Sequence, residues 1–299
     1  MTLTEWYADG TREPVTLASG TWNVFARVAG HGSPSTDRPA PAWCTLFHGF
    51  PTSSCDWHAV WPTVAARRQA LAFDFLGFGD SDKPADHTYS IGEQADLAVA
   101  LWRRFGVTRT DLVVHDYGVS VAQEVLARDA EGTLGVALAS VTFLNGGLYP
   151  DLHRPQPTQL MLLDPVQGPK LAELVTAETF AQALRATYAP GRQPTAAALA
   201  EQWETVARRD GHRIGHRLIQ YIRDRERHAA RWVSALETTR VPRHFIWGML
   251  DPVSGAHMAA RVVERVPDVD LVRLDDVGHW PQLEDAATVR AHLERILTV

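Results

Sequence analysis

The sequence predicts an α/β protein, a doubly wound and mostly parallel sheet interrupted late by an all-helical insertion. Three observations predict it. Short continuous apolar runs recur and stop at Gly, His, Asp or Asn, as suits strands buried on both faces of a parallel sheet. Helical patterns lie between those runs. From about Tyr149 to Thr238 the strand pattern vanishes and helical periodicity replaces it, and then the strands resume.

Taken in order, Pro14 to Ser19 and Trp22 to Ala29 read as a hairpin around Ser19-Gly20. Gly30 to Pro41 reads as a polar loop rich in Gly, Pro and Ser. Trp43 to Phe47 is the first apolar run and ends at His48-Gly49. Ala70 to Phe75 ends at Gly77, Leu112 to Val114 at His115-Asp116, and Val141 to Leu144 at Asn145-Gly146-Gly147. Ile91 to Phe105 and Val119 to Arg128 carry helical periodicity between them. Inside the insertion, Phe180 to Tyr188, Ala196 to Arg209, Gly215 to Arg223 and Ala229 to Leu236 read as helices. The charged run Arg223 to His228 reads as a solvated helix face. His244 to Trp247 and Val269 to Leu274 are the closing strands, with helices at about His257 to Arg265 and Ala286 to Leu297. The expected division is a core over 1–147, an insertion over 148–238 and the rest of the core over 239–299.

Composition bounds the function. The chain has 299 residues, 45% hydrophobic and 21% charged, which excludes a disordered or collagen-like chain. A formal net charge of -6 gives no nucleic-acid footprint. Cys44 and Cys55 cannot build a disulfide framework or a four-ligand zinc site, and they read as free thiols in a reducing cytoplasm. The start, Met1 to Gly10, has neither a basic segment nor an apolar one and does not read as a signal peptide. No run of about 18 apolar residues would span a membrane. There is no dinucleotide or P-loop glycine motif and no cluster of metal ligands, so neither cofactor nor metal is expected.

In an open parallel sheet, ligands sit beyond the carboxyl ends of the strands. The residues there are His48-Gly49-Phe50-Pro51, Asp74, His115-Asp116-Tyr117-Gly118, Asn145, Asp251 and His279. Asp116 follows a strand and opens a helix, at the nucleophile position of a sharp strand-to-helix elbow, where the helix N-terminus favours an anion. Ser120 lies in a segment close to a serine-hydrolase motif, but one helical turn too late to project into the crevice. Asp116, Asp251 and His279 follow the chain order nucleophile, acid, histidine. The backbone N–H groups of Phe50 and Tyr117 are placed to form an oxyanion hole.

The sequence resembles the α/β-hydrolase superfamily, in its aspartate-nucleophile branch of epoxide hydrolases and haloalkane dehalogenases. The residues that carry the resemblance are His48-Gly49-Phe50-Pro51, the run Asp74 to Asp82, the elbow at Asp116, and Gly278-His279-Trp280-Pro281. Within the branch it is similar to the mesoderm-specific transcript group. The supporting segments are Leu144 to Gly147, His153-Arg154-Pro155, Gln220-Tyr221-Ile222 and Pro281 to Asp285. The resemblance implies an α/β-hydrolase fold, with an eight-stranded sheet covered by helices on both faces and a helical cap. It implies that Asp116 attacks carbon to form an ester, and that His279, oriented by Asp251, activates the water that hydrolyses it.

An epoxide hydrolase would protonate the leaving oxygen from cap tyrosines. Tyr221 takes the place of the second, while Tyr188 and Tyr149 are candidates for the first. These two, with His48, are assigned to substrate binding. A dehalogenase would need two N–H donors for halide. The usual tryptophan after the nucleophile is Tyr117 here, the usual asparagine is Phe50, and cap Trp203 or Trp232 would have to substitute. A non-catalytic receptor on the same fold is the third alternative. The implied partners are a small-molecule substrate and water, and a homodimer stays open. Asp74 and Asp80-Ser81 are expected to hold a loop.

Overall fold

The computed structural model describes residues 1–30 and 42–298, so the expected Gly30 to Pro41 loop lies outside the described residues except for Gly30. The chain opens with α1 (Leu3–Ala8), which a Thr2–Glu5 capping box starts. Its Trp6 is fully buried against Trp61 and donates from Nε1 to Ser54 Oγ at 3.1 Å. The core continues through β1 (Thr11–Leu17), β2 (Gly20–Ala29), β3 (Trp43–Phe47), α2 (Trp61–Arg67) and β4 (Gln69–Phe73). It then runs through α3 (Ile91–Phe105), β5 (Arg109–His115), α4 (Tyr117–Ala130) and β6 (Ala137–Leu144). The expected hairpin is present, with Leu17 paired to Gly20. The helix expected over Ile91 to Phe105 has those bounds: the Ser90 hydroxyl caps its start and Gly106, at φ 70°, ends it.

An all-helical stretch follows, with α5 (Pro157–Leu163), α6 (Gln167–Leu174), α7 (Ala177–Arg185), α8 (Ala196–Ala207), α9 (Gly215–Leu218) and α10 (Tyr221–Thr238). The sheet resumes with β7 (Arg243–Gly248), α11 (Ala256–Arg265), β8 (Asp270–Leu274), α12 (Pro281–Glu284) and α13 (Ala286–Ile296). The strand order is β1-β2-β4-β3-β5-β6-β7-β8. β1 and β2 pair antiparallel, as do β2 and β4, and the remaining pairs are parallel.

The apolar runs work as two-faced strands. Leu112 and Val114 of β5 face one core with Phe47, Leu71 and Phe73, beneath α3 and α4. Val113 faces the other with Cys44, Leu46, Ala70 and Ala72, beneath α2 and α13. Both cysteines are free, and burial pushes the Cys44 thiol well above its usual range.

Two expectations need correction. The insertion has no break at its charged run: the chain turns at Ile219–Gln220, and one helix then runs from Tyr221 to Thr238. Nor is that run a solvated face. Arg223, Glu226 and Arg227 are exposed, but Asp224 and Arg225 are buried. They follow Tyr221 by three and four positions, on the face that packs on α4.

No helix among the described residues is long and apolar enough to cross a membrane. The start of α4 is packed onto the end of β3 so closely that a Cβ at Gly118 would lie 2.5 Å from the Phe47 carbonyl oxygen. Gly118→Ala is therefore expected to destabilise the fold by about 1–3 kcal/mol, read as a lower urea midpoint. An unchanged midpoint would contradict this packing.

Candidate active site

The elbow is built by its neighbours. β5 ends at His115, and Asp116 adopts φ 47° and ψ -102° before α4 begins. That conformation costs about 1–3 kcal/mol for a non-glycine residue and persists only where its surroundings over-determine it. Asp116 N–H donates to Asn145 O at 2.8 Å, and Gly118 N–H donates to His48 O at 3.0 Å. Gly49 and Gly146 lie close against the turn; a Cβ at Gly49 would come within 3.0 Å of Asp116 Cβ. The backbone is thus gripped from the ends of β3 and β6.

Asp116 Oδ1 accepts the Phe50 N–H at 2.8 Å. Tyr117 is the first residue of α4, so its N–H has no acceptor within the helix. Asp116 Oδ2 lies 3.5 Å from His279 Nε2, and the other ring nitrogen, Nδ1, lies 2.8 Å from Asp251 Oδ2. All three residues are buried. Asp251 is held in turn by Asn145 Nδ2 at 2.9 Å, Ser254 Oγ at 2.7 Å and the Val253 N–H at 2.7 Å. Asn145 is itself fixed, accepting the Gly248 N–H at 2.7 Å. His115 donates from Nε2 to the His279 carbonyl at 2.8 Å. Burial first, and the neighbouring His279 charge second, push its pKa down to about 3, so His115 is neutral.

Burial alone would neutralise this triad, but mutual attraction prevents it. Burial opposes the charge on Asp116, yet its hydrogen bond and Coulomb attraction to His279 hold the carboxyl well below the usual range. Burial likewise opposes ionisation of Asp251, which His279, Ser254 and Val253 hold down to about 2. Burial opposes the charge on His279, and the two carboxylates raise its pKa well above the usual imidazole range. All three shifts favour a protonated imidazole between two ionised carboxylates.

A cavity of about 180 Å³ opens from Asp116 and His279 into the insertion, lined by Phe50, Leu162, Phe180, Leu184 and Leu218 among others. Tyr221 packs against Phe50 and Tyr117, with ring centroids 5.9 and 4.9 Å away. Its hydroxyl has no hydrogen-bond partner among the described residues. Burial and then the Asp116 charge raise its pKa well above the usual phenol range.

Tyr221 is not among the residues that line that cavity, and the other assigned residues also fall elsewhere. Tyr188 stacks on Trp280 and accepts from Gln202 Nε2 at 3.4 Å. Tyr149 stands apart from the triad, beneath the Arg261 guanidinium and beside Glu237 and Arg265. His48 accepts the Phe75 N–H at 3.1 Å on Nε2 and bonds Gly49 O through Nδ1, so it fixes a turn instead of facing the cavity. Ser120 is buried inside α4. Asp74 holds its loop by accepting from Ser54 N–H and Oγ–H and from Asp80 N–H.

Two contributors escaped the sequence reading. Glu284 accepts the N–H groups of Gly278 at 2.8 Å, Trp280 at 2.9 Å and Ala189 at 2.9 Å. Thr187 of the insertion accepts the His279 N–H on its carbonyl at 2.9 Å. The insertion is thereby tied to the histidine loop. Glu284 lies in a quoted motif, but its role needs the insertion in place and no local signal marks it.

A family model described as alpha/beta hydrolase fold matches residues 45–286. The mesoderm-specific transcript protein of Mus musculus is 39% identical over 253 residues, covering 82% of this chain and 76% of its own. A loop variant of the haloalkane dehalogenase DbeA from Bradyrhizobium elkanii superposes with a TM-score of 0.78 at 20% identity, over 97% of this chain and 96% of that one. The epoxide hydrolase CorEH superposes with a TM-score of 0.74 at 18% identity, over 97% of this chain and 99% of that one. At such identity these two structures speak for the fold alone.

Removing the Asp116 charge should let the His279 pKa fall. In Asp116→Asn, the His279 ring resonances followed by NMR are expected to titrate at lower pH than in the wild type. An unmoved or raised titration would contradict the charge arrangement. Because the folded His279 pKa lies above its unfolded value, its pairing stabilises the fold fully below the ordinary imidazole range. That contribution is lost as pH rises through the raised value.

Proposed function

The chain belongs to the α/β-hydrolase family, and we propose that within it the protein is an epoxide hydrolase working through an aspartyl ester. One arrangement carries the reading. Asp116 rests on the Phe50 N–H and faces His279, while Tyr221 packs on Phe50 and Tyr117, close enough for the Asp116 charge to act on its phenol.

In the first step a carboxylate oxygen of Asp116 attacks an epoxide carbon. The carbon–oxygen bond breaks and the leaving oxygen takes the Tyr221 proton. The new ester carries no charge, so the His279 pKa falls, and the proton His279 gives up restores the phenol. In the second step neutral His279, oriented by Asp251, takes a proton from water. The resulting hydroxide attacks the ester carbonyl, and the N–H groups of Phe50 and Tyr117 hold the tetrahedral oxyanion. Collapse releases the diol, whose oxygen takes the proton from the re-formed carboxyl. Asp116 is again ionised and His279 again protonated.

The Leu162, Phe180, Leu184 and Leu218 lining favours an apolar substituent on the epoxide. A halide finds less here. The Trp232 indole donates to Glu124 at 2.7 Å, the Trp280 indole donates to Thr187 at 2.8 Å, and Trp203 packs on Phe180. The Tyr117 phenol keeps company with Asp224 and Gln94.

A panel of epoxides and haloalkanes, read by diol formation and halide release, tests the reading. Diol alone is expected, and none from Asp116→Asn. Halide alone would turn the reading to a dehalogenase, and neither product would favour a receptor. In His279→Gln the first step should proceed and the second stall, leaving the substrate mass on the Asp116 peptide. Normal turnover by that variant would refute the two-step assignment. Tyr221→Phe should slow ester formation by about 100-fold, within the usual range for a general acid. An unchanged rate would remove Tyr221 from the mechanism.

A further inference from the structure

Arg225 is a buried charged side chain that the two-step reaction leaves unused. It lies on α10, four residues after Tyr221, and only 1% of it is exposed. Neither Nε, Nη1 nor Nη2 has a hydrogen-bond partner among the described residues. An arginine cannot shed its proton to escape burial. A buried cation whose donors make no hydrogen bond is costly; the nearby Asp116 charge and the Tyr221 phenol offset part of that cost and leave the forked donors for something that meets them.

The surroundings are built for the guanidinium. A Cβ on Gly147 would lie 1.7 Å from Arg225 Nη1, so the residue after Gly146 must be a glycine for the guanidinium to sit there. Its other side lies over the Tyr221 ring, 4.4 Å from the centroid. Two further buried polar atoms lack a hydrogen-bond partner among the described residues, Tyr221 Oη and His153 Nε2. The charges of Arg225 and Asp116 both act on His153, and that of Arg225 acts on Asp116. Contacts put Arg225 and Tyr221 at the elbow: Tyr221 packs on Phe50 and Tyr117, and Arg225 fills the space at Gly147, next to the Gly146 that lies against the Asp116 carbonyl.

We propose that Arg225 and Tyr221 form a subsite for an oxygen anion beside Asp116. The subsite rests on Asp116 being the nucleophile of the proposed reaction. The forked guanidinium donors suit a carboxylate or a lone oxyanion equally. That anion has two chemical sources: a permanent carboxylate on the substrate, or the leaving oxygen as it gains charge in the first step. In the second case the Tyr221 proton passes to that oxygen while the guanidinium stabilises the phenolate left behind, and no further reactant is needed.

Two measurements separate the sources. Calorimetry compares heptanoate with heptanol binding to the wild type and to Arg225→Gln. Mass spectrometry follows ester formation from a terminal epoxyheptane in His279→Gln and in His279→Gln/Arg225→Gln. A carboxylate source predicts that heptanoate binds the wild type at least about 30-fold tighter than heptanol, and that Arg225→Gln abolishes the preference. A leaving-oxygen source predicts no such preference but about 100-fold slower ester formation when Arg225 is replaced. Equal binding together with unchanged ester formation would overturn the subsite. If no epoxide modifies His279→Gln, the epoxide reading falls, and the heptanoate comparison alone decides the subsite. Should Arg225→Gln fail to fold, Arg225→Lys keeps the charge and loses the fork. A partial loss in one of the two measurements is then expected, and no loss in either overturns the proposal.

Discussion

Asp251, His279 and Asp116 are buried together with the imidazole within reach of both carboxylates, which favours a protonated ring between two ionised carboxyls. Removing one partner of such a buried group typically costs about 3–5 kcal/mol, because the others are left uncompensated. That is a large share of the about 5–15 kcal/mol that holds a domain folded. The rest of the site therefore keeps these three side chains in register. Asn145 at the end of β6 locks Asp251 against Gly248 at the end of β7. Ser254 and Val253 supply the remaining donors to the same carboxylate. The arrangement is also a switch in the chemical sense. In the proposed reaction, forming an ester at Asp116 would delete one of the two negative charges, and His279 would turn from a cation into a base without moving.

The same economy of residues appears along the chain after β6. Asn145 serves Asp251, Gly146 lies under the elbow, and Gly147 leaves space for Arg225. Asn145 and Gly147 thus each answer to a charged group, and Gly146 between them to the packing of Val119 and the elbow backbone. On the opposite side, Glu284 gathers N–H groups from Gly278, Trp280 and Ala189. Thr187 takes the His279 N–H, so the insertion that lines the cavity also holds the histidine loop.

Much of this was legible in the sequence, and the exceptions share a cause. Strand runs such as Trp43–Phe47 and the helix Ile91–Phe105 stand out because burial on both faces, or a capped amphipathic stripe, writes a local pattern. The triad stood out because its members end strands in a recognisable order. The helices α5 and α6 were not recognised: each is short and half-exposed, and its apolar positions face a cavity as well as a core. Arg225 was misread because six charged residues in a row resemble a solvated face, and only the register of α10 turns two of them inward. Glu284, Tyr149 and His48 depend on distant segments, which one sequence does not place.

The central claim is that a carboxylate, and not water, makes the first bond to the substrate carbon. A single turnover of excess enzyme with an epoxide in ¹⁸O-labelled water tests this most directly. Water attacking the ester carbonyl leaves its oxygen in the protein. The account predicts heavy oxygen in the Asp116 peptide and an unlabelled diol after that first turnover. Heavy oxygen in the diol, with none in Asp116, would contradict it.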